Sequence, residues 1–306
     1  MGRMLLKRCW DGLIVILGVT VVVFVITRMI GDPVDIMLPL EATEEQRAAF
    51  EAQLGLDRPI VVQFVNYVWD LTRFDFGNSL WLDRPALDIV FERLPITLLL
   101  VVSSIVLATV IAIPLGIIAA LNPGSFIDRI TVILSLVALS LPQFWLGLLL
   151  IVLFSVTLSW LPTGGIGGLS HLVLPAVTLA LPAMTRLVMV VRSQMIDELN
   201  AQYIKTTEAK GLSQFRIVGV HAMRNAAVPV LTLVAWEFIR ILSGYTVVVE
   251  TVFAWPGLGL LALQAIQRQD LVLLQAIVFV IAVIVVVFNF GVDVIYKAID
   301  PRIKLD

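Results

Sequence analysis

Six long apolar runs fix what this chain can become: approximately residues 13–30, 96–121, 130–158, 172–191, 226–249 and 271–295. Each approaches or exceeds the roughly 18–20 residues that a helix needs to cross a bilayer. The runs are continuous rather than alternating, and backbone groups in lipid must pair within their own segment. Helices are therefore expected and strands are not. Composition agrees: 59% of residues are hydrophobic and 14% charged, with a mean hydropathy of +1.00, against about 45–50% and about 25% in soluble domains. The expected fold class is all-α, a polytopic membrane bundle of six transmembrane helices.

Basic residues set the expected orientation. Arg3, Lys7 and Arg8 precede the first run, Arg192, Lys205, Lys210, Arg216 and Arg224 lie between the fourth and fifth, and Lys297, Arg302 and Lys304 follow the sixth. Six spans place all three groups on one side, the cytoplasm, so both termini are expected inside. The basic start fits a signal peptide or a retained helix. A retained helix is favoured because no A-x-A-like site precedes Gly31, and Arg28 and Met29 close the run. The acidic segment 31–92 then lies outside. Thr43 with Gln46 reads as a capping box for a helix over 44–54 that Gly55 ends, and Pro59 opens a second helix over 60–71. The chain thus divides into an amino-terminal segment with the first span (1–30), a small helical extracytoplasmic cap (31–92) and a five-helix core (93–306).

The polar island 192–225 is long for a loop between neighbouring spans. Residues 195–210 contain few helix breakers, Gly211 supplies a stop, and Ser213 is placed to cap a second helix. Leu199, Tyr203 and Ile204 fall near one face. Two readings stand: a passive amphipathic loop lying on the membrane, or a surface that a cytoplasmic partner grips.

Other features are less specific. Pro114, Pro142, Pro175 and Pro182 interrupt spans and favour kinks. Arg186, Glu237 and Arg240 fall within spans, where ionisable groups are costly. Glu237 and Arg240 are spaced to pair on one helix face or to line a pathway, while Arg186 is placed to snorkel to the membrane edge. The segment Glu250 to Asp270 holds Trp255-Pro256-Gly257-Leu258-Gly259, a turn, followed by an apolar stretch over 260–266 too short to span. That stretch reads as a re-entrant or interfacial helix.

Several chemistries have no residues to support them. Glycine is never followed by lysine, so no P-loop exists for ATP. Cys9 is the sole cysteine, and His171 and His221 stand far apart, so no metal site is expected. No catalytic serine pattern and no basic tract for nucleic acid occurs.

At this point the sequence resembles the permease subunits of bacterial ATP-binding-cassette importers, in the dipeptide/oligopeptide/nickel branch. The resemblance spans almost the whole chain. It rests on Leu54-Gly-Leu-Asp-Arg-Pro59, Phe74-Asp-Phe-Gly-Asn-Ser-Leu80, Arg93-Leu-Pro-Ile-Thr97, Leu161-Pro-Thr-Gly-Gly165, Leu174-Pro175, Thr206-Thr-Glu-Ala-Lys-Gly-Leu-Ser213, His221-Ala-Met-Arg-Asn-Ala226, Glu250-Thr-Val-Phe-Ala-Trp-Pro-Gly-Leu-Gly259 and Asp300-Pro-Arg-Ile303. In the broader importer motif Gly211 matches the glycine. Lys205, Thr206 and Thr207 replace Glu-Ala-Ala, and His221, Met223 and Arg224 replace Ile, Leu and Pro.

The resemblance implies a type I ABC importer permease fold in the bacterial inner membrane. It implies an ATPase-coupling helix formed by Tyr203, Ile204, Lys205, Thr206, Thr207, Ala209, Lys210, Gly211 and Leu212. It further implies a second homologous permease, two cytoplasmic ATPases holding ATP and Mg, and an extracytoplasmic solute-binding protein. That protein would touch 31–92 and Trp255–Gly259, and Glu250, Trp255, Pro256, Gly257 and Gly259 would form an extracytoplasmic gate or turn. The chain itself would bind no cofactor and catalyse nothing. The competing readings are a secondary transporter or channel without ATPase subunits, which would show an inverted repeat, and, more remotely, a membrane enzyme.

Overall fold

The computed structural model describes residues 2–30, 43–53 and 57–299. In chain order the helices are α1 (Gly2–Ile30), α2 (Glu44–Gln53), α3 (Ile60–Thr72), α4 (Ala86–Leu121), α5 (Phe126–Ser140) and α6 (Gln143–Thr157, π-helical from Ile151). There follow α7 (Leu169–Leu199), α8 (Gln202–Ala209), α9 (Gln214–Val252), α10 (Leu258–Gln267) and α11 (Leu271–Ile299). Among the described residues no strand forms. The expected Gly55 stop, the Asp300-Pro-Arg-Ile303 motif, Arg302 and Lys304 lie outside the described residues.

Among the described residues five helices are long and apolar enough to span: α1, α4, α7, α9 and α11. The apolar run 130–158, read from sequence as one continuous span, is instead α5 and α6, bent by 104° at a short break. Pro142 explains it. A residue before proline is driven out of the α region, and Leu141 sits at φ −83°, ψ 127°, so α5 ends at Ser140. Pro142 then starts α6 at its own φ of −61°. Pro175, Pro182 and Pro229 stay inside their helices.

The described residues fall into two compact units, one within Met1–Pro95 and Leu260–Phe290, the other within Ile96–Gly259 and Gly291–Lys304. In the first unit the capping box forms as read: the Thr43 N–H donates to Gln46 Oε1 at 3.0 Å, and the Gln46 N–H to Thr43 Oγ1 at 3.3 Å. Phe24 of α1 packs on Phe64 and Tyr67 of α3, with ring centroids 5.2 and 5.6 Å apart. Asp270 caps α11 through the Leu273 N–H at 3.0 Å, and its other oxygen accepts from Ser79 Oγ and from the Trp81 N–H at 3.1 Å. One buried carboxylate thus fixes both a helix start and the end of the Phe74–Leu80 motif.

In the second unit α7 is the central helix. Ala176, Ala180, Ala183, Leu187 and Val191 are buried along it. Small residues let neighbours approach closely. A Cβ on Gly116 of α4 would lie 2.7 Å from Val191, and one on Gly147 of α6 would lie 3.1 Å from Phe253.

Candidate functional site

The polar island departs from the single helix expected over 195–210. α7 ends at Leu199 and α8 begins at Gln202. Asn200 makes the break. Its side-chain amide donates back to the Ile196 carbonyl at 2.8 Å, and the Ala201 N–H to the Glu198 carbonyl at 3.0 Å. Asparagine competes with helical backbone bonding in this way.

The far end of α8 follows the sequence reading closely. Gly211 adopts φ +75°, its N–H donates to the Glu208 carbonyl at 2.8 Å, and the Leu212 N–H donates to the Thr207 carbonyl at 3.3 Å. That pair of bonds is a Schellman stop, which favours glycine because the left-handed conformation crowds a Cβ. Ser213 sits at the next N-cap, but its side chain makes no capping bond. The Arg216 and Ile217 amides instead reach the Ser213 carbonyl at 2.9 and 3.1 Å.

α8 is therefore a short rod with a buried anchor and an open outer face. Ile204 is buried, Thr207 and Leu212 are half-buried, and Tyr203, Lys205, Thr206, Ala209, Lys210 and Gly211 are exposed. Partial desolvation of the hydroxyl, and then its hydrogen bond to Glu198, push the Tyr203 phenol up to about 12 even though the side chain is largely open. Arg192, counted from sequence as part of the basic island, is bidentate to Asp128 at the start of α5, with Nη2 2.7 Å from Oδ2. Asp128 Oδ2 also accepts the Gly124 N–H at 2.8 Å.

Inside the bundle Glu237 and Arg240 do not form the pair that is one of the two readings open for them, and Arg186 does not snorkel free. Arg186 of α7 is bidentate to Glu237 of α9, with Nη2 2.7 Å from Oε2 and Nε on Oε1. Glu237 is fully buried and the Arg186 side chain is 23% exposed. Glu237 points from α9 into α7, away from Arg240. Arg240 donates instead to the Tyr245 hydroxyl, its guanidinium 5.3 Å over that ring. The π-helical segment Ile241–Tyr245 brings positions five apart into register. Arg186 and Glu237 lie 51 positions apart, so only a prior pairing of α7 with α9 would have joined them.

The turn after α9 is a buried knot rather than an exposed loop. Glu250 and Trp255 are buried, as is Thr97 of α4. Thr97 Oγ1 donates to Glu250 Oε1 at 2.7 Å and accepts the Leu258 N–H at 2.7 Å. Trp255 donates its indole N–H to the Ile96 carbonyl at 3.2 Å and its amide to the Glu250 carbonyl at 2.8 Å. Phe253 accepts the Gly165 N–H at 2.8 Å, tying in the Leu161–Gly165 motif. Pro256 is half-buried; Gly257 and Gly259 are packed so closely that a Cβ on Gly259 would lie 2.6 Å from the Val247 nitrogen. α10 is the short apolar helix read from the sequence. Thr97 carried no sequence signal beyond its motif.

Residues 112–305 match the family described as binding-protein-dependent transport system inner membrane component, and residues 1–101 match its amino-terminal region. The chain belongs to this family. It is 37% identical to the oligopeptide transport system permease protein AppB of Bacillus subtilis, over 99% of this chain and 100% of that one. It is 36% identical to a putative peptide transport system permease protein of Brucella abortus, over the full length of both. It is also 36% identical to the glutathione transport system permease protein GsiC of Salmonella choleraesuis, over 98% of each. Among solved structures it resembles the MetNI methionine ABC transporter in inward facing conformations. The TM-score is 0.58 at 20% identity, covering 69% of this chain and 96% of that one, a likeness of fold. This permease is a multi-pass inner membrane component that works with ATPase and binding-protein partners and is not itself the enzyme of the system.

Proposed function

We propose that this permease forms half of the pathway of an ATP-driven peptide importer, a second homologous permease supplying the other half. Two cytoplasmic ATPases holding ATP and Mg dock on α8, and a solute-binding protein delivers cargo to the opposite face. The peptide class is supported by the relatives, whose names specify peptide, oligopeptide and glutathione transport. Region 192–225 and both termini face the cytoplasm, 31–92 forms the outer cap, and 93–306 is the permease core. The basic residues near the spans support that orientation. Glu250, Trp255, Pro256, Gly257 and Gly259 act as a rigid closure at the outer end. Glu237 is buried within the subunit itself, so the Arg186–Glu237 pair holds the bundle together rather than lining the pathway.

The observation that carries the coupling reading is α8 itself: an eight-residue helix, stopped by Gly211, seated by Ile204 and presenting Lys205, Thr206, Ala209 and Lys210 outward. Replacing residues 202–209 with an equal-length Gly-Ser linker in the assembled transporter should reduce ATP-dependent peptide uptake to background. Full uptake by that variant would remove α8 from the mechanism.

A further inference from the structure

Three side chains from three different elements close on one another beside α8. Tyr203 Oη on α8 donates to Glu198 Oε2 in the last turn of α7. Asn225 Nδ2 on α9 donates to Glu198 Oε2 at 3.1 Å and to Tyr203 Oη at 3.0 Å. Within the triangle the phenol donates one hydrogen bond and accepts one, the amide donates two, and Glu198 Oε2 accepts twice. Bonds to an ionised carboxylate are the stronger kind.

Its position matters more than its strength. From α8 to the regular part of α9, the chain passes through the Gly211 turn, the short Gln214–Arg216 turn and the π-helical segment Ile217–Ala222. From α7 to α8 it passes the break at 200–201. Neither covalent route is a straight rigid rod. Asn225 lies beyond the π-helical segment, and Glu198 lies before the break. The triangle therefore joins α8 directly to both long helices and bypasses both weak points.

We infer that Glu198, Tyr203 and Asn225 form a latch that transmits displacement of α8 to α7 and α9, so that ATP turnover is converted into reorientation of the pathway. This rests on the coupling reading above. Glu198 and Asn225 are positioning residues that act through α8.

The test uses the assembled transporter, purified through a tag on this chain, in proteoliposomes with its binding protein and a labelled di- to pentapeptide pool. Glu198→Ala and Asn225→Ala should retain the ATPase subunits. Uptake per ATP hydrolysed should fall by about 5- to 10-fold, the scale of ordinary coupling energies. The double variant should be no worse than either single. Glu198→Gln, which keeps an acceptor oxygen, should recover at least half the wild-type ratio. An unchanged ratio in both alanine variants would overturn the latch, as would loss of the ATPase subunits, which would make the cluster a docking contact. The 202–209 linker variant separates the two claims. If the linker abolishes uptake while the alanine variants behave as wild type, the latch alone fails; if the linker variant transports, the coupling reading itself fails.

Discussion

Exchanging Arg186 for methionine is expected to destabilise the fold by about 3–5 kcal/mol, the usual cost of stranding one member of a buried ion pair. The stranded partner would be Glu237, which has no exposed surface through which to reach water. The reciprocal Glu237→Met should cost less. The Arg186 side chain is 23% exposed, and a long cationic side chain can carry its head toward a wetter region. The Arg186→Met/Glu237→Met double variant should return close to wild-type stability, because a well-packed apolar pair often replaces a buried ion pair without loss. Thermal unfolding of the three variants in detergent gives the order. Uptake should recover with stability in the double variant. An Arg186→Met protein that unfolds like wild type would show that the pair does not hold α7 to α9.

Gly257→Ala is expected to be comparably severe through packing. The new Cβ would lie 2.2 Å from Glu250 Oε1 and 2.4 Å from Thr97 Oγ1. Neither oxygen can yield cheaply. Thr97 is simultaneously donating to Glu250 and accepting from Leu258, so retreat strands buried polar groups at about 1–3 kcal/mol each. Overpacking adds about 1–3 kcal/mol more. Thr97→Val, which keeps the shape and removes the hydroxyl, should show the polar part alone and be milder. Both are read as loss of folded protein on gel filtration after mild heating. A Gly257→Ala permease as stable as wild type would mean that the knot is looser than its contacts indicate.

The parts legible in the sequence were those governed by local chemistry. Continuous apolar runs gave the spans, Thr43 with Gln46 gave a capping box, and Gly211 gave a left-handed helix stop. Each depends on residues a few positions apart. Two further features are also local in origin. Leu141-Pro142 breaks a span instead of kinking it, and Asn200 ends α7 by bonding its own helix. The ion pairs were not legible. Glu237 has an arginine three residues away and takes one 51 residues away instead, because its face of α9 is turned toward α7. Asp128–Arg192 and Thr97–Glu250 likewise join positions 64 and 153 apart. Glu198 and Asn225 are ordinary polar residues in the sequence, 27 positions apart, and only the chain reversal at α8 brings them together.

The central claim is that α8 is a cytoplasmic handle held by an ATPase, and labelling tests it most directly. A cysteine placed at the exposed Lys205, in a chain whose Cys9 is serine, is treated with a membrane-impermeant maleimide. The account predicts no labelling in intact cells, labelling in inverted vesicles stripped of ATPase subunits, and protection when those subunits are restored. Labelling of that cysteine from outside intact cells would contradict it.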